Sequence, residues 1–144
     1  MIWWFDKNYT LREYSFERLE VWQLSKKLTI QIYLITKSFP ESEKFGVINQ
    51  IRRASFSISN NLAEGNSRSS IKDRVRFIEI AFGSLMEVLN ILLVSKELGF
   101  IDDISIKEIR PLIEEIGNKM NALRSSFHKS SNQQFINWKT TPNS

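Results

Sequence analysis

Four runs of apolar residues spaced three and four apart constrain this chain more than any other feature. The first is Val21, Leu24, Leu28, Ile32, Ile35 and Phe39, widened by Trp22 and Tyr33. The second is Phe45, Ile48, Ile51, Ser55, Ile58 and Leu62, and the third Ile78, Phe82, Leu85, Leu89 and Leu92. The fourth is Ile109, Leu112, Ile113, Ile116, Met120, Leu123 and Phe127. That spacing puts each set on one side of an α-helix and asks for a shared core. Phe39-Pro40 stops the first helix, because the residue before a proline disfavours the α region. Gly65 and Gly99 supply stops for the second and third, as residues able to take the left-handed conformation.

The boundaries that follow are Phe16 to Lys37 for the first helix, Ser42 to Gly65 for the second and Ser70 to Leu98 for the third. Ser70 with Asp73 reads as a capping box built with the shorter acid. The fourth helix has start signals at Asp102, Asp103 and the Ser105–Glu108 pair. Pro111 leaves two readings, a kink within that helix or a start near Arg110 with proline at the first position. Short turns between long helices make neighbours antiparallel, so the expected fold is an all-α, antiparallel up-and-down four-helix bundle over residues 16–129. Residues 1–15 are expected to be a flexible, tryptophan-bearing arm, with packing on a neighbouring subunit as the other reading, and residues 130–144 a disordered tail.

Composition narrows the function classes. With no cysteine, disulfides, thiol nucleophiles and cysteine-ligated metals are excluded, and the single histidine, His128, rules out a multi-histidine site within one chain. No cofactor is expected. No segment reads as long and apolar enough to span a bilayer, and Met1 to Phe5 is too short for a signal-peptide core. The expectation is a soluble, cytoplasmic protein.

Apolar residues also surround the third helix: Met86, Val88, Ile91, Leu93 and Val94 lie on several sides of it. A helix apolar all round is buried all round, so part of it is expected to face another subunit. Gly83-Ser84 within that helix costs about 1 kcal/mol at the glycine, which a close-packed neighbouring backbone would offset.

Charge concentrates between Arg52 and Arg76. Arg52, Arg53, Arg68, Lys72, Arg74 and Arg76 stand against Glu64 and Asp73, a local excess as large as the net +4 of the whole chain. Such an excess attracts polyanions. Arg68, Lys72 and Arg76 are spaced i, i+4, i+8, a ridge of positive charge once helical. The competing reading is of solvated surface cations, with Arg52 or Arg53 paired to Glu64, Glu79 or Glu87 at an interface. Asn60, Asn61 and Glu64 read either as a polar site or as groups that satisfy the turn and fix the Arg68 loop.

Leu19-Glu-Val-Trp-Gln23, Gln50-Ile-Arg-Arg-Ala54, Asn61-Leu-Ala-Glu-Gly65 and Gly83-Ser-Leu-Met-Glu87, in that order, resemble the four-helix-bundle family of proteins encoded in 23S ribosomal-RNA intervening sequences. The similarity spans about Phe16 to Phe127. The family's usual Ile-Pro-Ser-Asn is here Ile58-Ser59-Asn60-Asn61, which lacks the proline and predicts a straighter second helix. The resemblance implies a homo-oligomer, often a ring-shaped pentamer. With no Gly-rich phosphate loop, nucleophile elbow or metal-ligand spacing in the sequence, no enzymatic activity is expected. A related group, the accessory proteins of diversity-generating retroelements, binds nucleic acid and works with a reverse transcriptase. Partners implied are therefore further copies of the chain, RNA or DNA with weak sequence specificity, and a reverse transcriptase or other protein.

Two alternatives stand beside nucleic-acid binding. One is a pure protein-assembly scaffold. The other is a ribonuclease using Arg124 and His128, whose i, i+4 spacing puts a phosphate-binding cation and an acid–base group on one helix face.

Overall fold

The computed structural model describes residues 12–140, with side chains for residues 12–129. The expected N-terminal arm lies largely outside the described residues, Trp3 and Trp4 included. A 3-10 turn at Ser15–Arg18 leads into α1, Glu20–Thr36. Val21, Leu28 and Ile32 are buried, and so are Ser25, Thr29 and Thr36. These hydroxyls sit in the core because each bonds the carbonyl four residues back, Ser25 Oγ to Val21 O at 2.7 Å and Thr36 Oγ1 to Ile32 O at 2.7 Å.

The second helix starts later than its stripe suggested. Glu41–Glu43 form a 3-10 turn after Pro40, and α2 is Val47–Asn66. Gly46, at φ −105 and ψ −115, takes a non-helical conformation that separates the two. Phe45, expected on the core stripe, therefore lies outside the helix and is 88% exposed.

Gly65 is a second correction. It does not take the left-handed conformation; α2 runs through it to Asn66, and Gly99 is the glycine with positive φ, at 79. Gly65 is small for a packing reason. A Cβ there would lie 2.6 Å from the Cβ of Phe77 on the returning helix. The α2 end is closed instead by Ser67, whose N–H and hydroxyl both donate to Glu64 O, at 3.1 and 2.6 Å.

α3, Ile71–Glu97, opens as expected with the Ser70 hydroxyl accepting from Asp73 N–H at 3.1 Å. It closes in a Schellman motif: Phe100 N–H bonds Ser95 O at 2.9 Å and Gly99 N–H bonds Lys96 O at 3.0 Å. Phe39 packs against Phe100 across that corner, their ring centres 5.9 Å apart. α4, Asp103–Thr140, is capped by the Asp102 carboxylate, which accepts from Ser105 N–H at 2.8 Å. Pro111 sits inside this helix, so the start near Arg110 does not hold. The helix also passes the boundary expected at residue 129, since neither glycine nor proline follows Gly117 until Pro142.

The helices pack in sequence around one core, α1 on α2, α2 on α3, α3 on α4 and α4 back on α1. No strand occurs among the described residues. α3 is long and apolar enough, by length and composition, to cross a membrane, contrary to the expectation that no segment is. Between Phe77 and Val94 its only charges are Glu79 and Glu87. Ile78, Ala81, Leu85, Val88, Ile91 and Leu92 spend that apolar character on the common core.

The expected partner of Gly83 is absent: a Cβ there meets nothing within 4 Å among the described residues. The close contact belongs to its neighbour, as buried Ser84 meets Ser57 at 2.8 Å between the hydroxyls. Ala substitution should therefore act in opposite directions at the two glycines. Gly65→Ala forces an overlap costing about 1–3 kcal/mol, which exceeds the gain in helix propensity and lowers Tm. Gly83→Ala keeps the propensity gain of up to about 1 kcal/mol and raises Tm. Thermal denaturation of the two variants checks this.

A pH dependence follows from the α3–α4 corner. Asp103 accepts from Lys107 and from Lys96, each at 2.9 Å, and these hydrogen bonds hold its carboxyl below the ordinary 3.8. The same contact raises Lys96 above 10.5. A depressed carboxylate stabilises the fold above its unfolded pKa, and that contribution is lost as pH falls through the folded value. The Tm difference between the wild type and Asp103→Asn should be widest near neutral pH and close below the carboxylate range.

Candidate nucleic-acid interface

The six cations fall into two groups separated along α2. From Arg53 to Gly65 the helix rises about 18 Å at 1.5 Å per residue. At the near end Arg52 is half-buried and turned onto α1. Its Nε donates to Thr36 Oγ1 at 2.9 Å, its Nη2 to Tyr33 O at 3.4 Å, and its guanidinium lies 4.3 Å from the Tyr33 ring centre. The last turn of α1 is the negative end of that helix, so Arg52 neutralises it rather than facing solvent. Arg53 is exposed, without an ion pair among the described residues. It lines an open cleft whose far wall carries Glu87.

At the far end Arg68 lies in the turn before α3, not on the helix. The i, i+4, i+8 ridge is therefore broken, and only Lys72 and Arg76 share a helix face. Arg68 Nη2 meets Glu64 Oε1 at 2.7 Å, and its guanidinium lies 4.9 Å from the Phe77 ring centre. Arg76 also lies 4.9 Å from that ring, so two guanidiniums share one aromatic side chain. Arg74 is half-buried, donating from Nε to Arg68 O at 2.6 Å and lying 5.8 Å from the Phe127 ring. It ties the turn to α4. Arg76 is 61% exposed, with Asp73 at 3.9 Å beside its contact with Phe77, while Lys72 is exposed with no ion pair among the described residues.

Within one chain, neither Arg52 nor Arg53 forms an ion pair with Glu64, Glu79 or Glu87 among the described residues. Glu64 holds Arg68, and Glu79 faces Arg124 at 3.5 Å. Asn61 bonds neither the turn nor Arg68. Its Nδ2 donates to Ser57 O at 2.7 Å and to Ser57 Oγ at 3.1 Å, joining the Ser57–Ser84 contact in a polar seam between α2 and α3. Arg124 and His128 are exposed on α4, with Arg124 directed at Glu79.

Available cations are therefore Arg53, Lys72 and Arg76, while Arg52, Arg68 and Arg74 brace the fold. Sequence reasoning passed over Lys44 and Phe56. Phe56 falls outside the Ile48–Leu62 stripe, which was the available signal that it faces out.

Comparison with known proteins places the chain as follows. The family model described as 23S rRNA-intervening sequence protein matches residues 17–122. A crystal structure of a protein of unknown function from the S23 ribosomal protein family of Bacteroides thetaiotaomicron superposes with a TM-score of 0.65 at 21% identity, covering 72% of this chain and 97% of that one. Among curated proteins none matches.

Neighbouring arginines should respond differently to truncation. Arg52→Ala removes charge-assisted bonds to α1 and costs about 1–2 kcal/mol, or roughly 3–8 °C in Tm. Arg53→Ala stays within about 0.5 kcal/mol of the wild type. Denaturant unfolding of both variants tests the assignment.

Proposed function

The chain belongs to the 23S rRNA-intervening sequence protein family, and we propose that it is a non-catalytic, self-associating member that binds nucleic acid through its outward cations. The carrying observation is the exposure of Lys72 and Arg76 on one face of the first turns of α3. Lys72 has no ion pair among the described residues, Arg76 has only a long one, 3.9 Å to Asp73, and Glu64 is engaged by Arg68. Phosphates would supply Lys72 with the counter-charge it lacks and Arg76 with a closer one than Asp73 gives. Arg53 adds a third exposed cation toward the other end of α2. None of the three sits in a fixed planar arrangement with a hydrogen-bonding partner for base edges, so the contacts position a backbone rather than read a sequence.

Self-association is supported by the outer surface of α3. Ile80, Met86, Leu93 and Val94 are exposed there. Repetition of one subunit's cations around an assembly would multiply the phosphate contacts. The family resemblance points to a ring, commonly of five.

Charge reversal provides the test. Lys72→Glu combined with Arg76→Glu should weaken gel-shift affinity for RNA and DNA. It should also flatten the log–log salt dependence by about one unit for each phosphate no longer neutralised. Unchanged affinity, together with a protein partner retained after nuclease treatment, would leave an assembly scaffold in its place.

A further inference from the structure

Between α1 and α2 runs an open cleft of about 500 Å³, at the end of the molecule away from Lys72 and Arg76. Its walls carry three aromatic rings, Tyr33, Phe45 and Phe56, and three cations, Lys44, Arg52 and Arg53; among the described residues no carboxylate lines it. Phe45 is 88% exposed, Phe56 47% and Tyr33 37%. Tyr33 and Phe56 meet edge to face at 5.9 Å and 89°, which holds both rings in place. Arg52, bonded to Thr36, lies against Tyr33 and fixes that wall further. Lys44 Nζ lies 5.7 Å from the Phe45 ring centre.

The bundle does not need these rings where they are. Phe45 stands before the helix, outside the core cluster, so its apolar surface contributes nothing to folding. Phe45 and Arg53 also border the adjoining cleft that carries Glu87. But exposed rings flanked by cations, in a cleft that no carboxylate lines among the described residues, have two features that single-stranded nucleic acids recognise: a π-face for a base and positive charge for its phosphate. A duplex offers the phosphates but keeps its bases stacked inside. A cleft of this composition therefore discriminates for unpaired strands.

We infer that the α1–α2 cleft binds unpaired bases of single-stranded RNA or DNA, with Phe45 and Phe56 as stacking surfaces and Lys44 and Arg53 as the phosphate contacts. This rests on the nucleic-acid reading above and adds to it a second site and a preference for single strands. Phe45 is the principal stacking surface, because Phe56 is partly occupied by its contact with Tyr33.

The test uses the full chain and a fluorescent single-stranded oligonucleotide, alone or annealed to its complement, with binding followed by anisotropy. Phe45→Ala, at a site nearly free of contacts, should leave folding intact and weaken single-strand binding about 5- to 100-fold, in line with base–aromatic stacking. Duplex affinity and the salt slope should not change, since no charge is removed. Light scattering should return the wild-type mass. Three results would overturn the inference. Equal single-strand affinity in Phe45→Ala and in Phe56→Ala removes the stacking role. Equal losses for single strand and duplex remove the preference. A fall in oligomer mass assigns the cleft to contact between copies of the chain. If the two aromatic variants bind normally while Lys72→Glu/Arg76→Glu does not, this inference alone fails. If the wild type binds neither strand form, the nucleic-acid reading fails and this one with it.

Discussion

The close approach of α2 and α3 sets the geometry of both the core and the charged turn. Helix axes come near one another only where the side chains between them are small. Here Gly65 meets the Cβ of Phe77, Ala54 and Ala81 are buried, and Ser57 and Ser84 bond across the seam at 2.8 Å. Asn61 completes that polar line without leaving a buried donor unpaired. A larger residue at position 65 would push Phe77 out and open the turn in which Arg68 and Arg74 bond. The packing of one glycine thus reaches the charged end of the molecule.

That packing also sorts the cations. A cation with a close polar partner, whether a helix C-terminus, a carboxylate or a backbone carbonyl, is held, and one without is available. Arg52 has the α1 end, Arg68 has Glu64 and Phe77, and Arg74 has the Arg68 carbonyl. Arg53 and Lys72 have no such partner among the described residues. Positive charge in the sequence is consequently a poor measure of positive charge offered to a ligand. The structural arginines also have a use that lysines could not serve, since a planar guanidinium stacks on a ring while donating in its plane.

α3 shows how one composition supports two roles. Its inner face supplies much of the core, while Ile80, Met86, Leu93 and Val94 remain exposed. A segment with so few charges meets the length and apolarity that a bilayer requires. The difference lies in the neighbours: α2 and α4 cover the inner face, and Glu79 is directed to Arg124 on α4 at 3.5 Å.

The four helices, their order and most of their core were legible in the order of residues alone, because apolar spacing at three and four residues is a local pattern that survives any arrangement of neighbours. Val21, Ile51, Leu85 and Ile116 lie where their stripes put them, and Ser70, Asp102 and Gly99 act at the helix ends where their chemistry suits them. The family was legible as well, since its motif residues occur in one order across residues 17–122. Residues with two possible roles had to wait for the packed molecule. Gly65 could end a helix or admit a neighbour, Phe45 could join the core or leave it, and each arginine could brace the fold or face solvent. A one-dimensional pattern records the residue but not what stands opposite it, and for small, aromatic and cationic side chains the opposite surface settles the role.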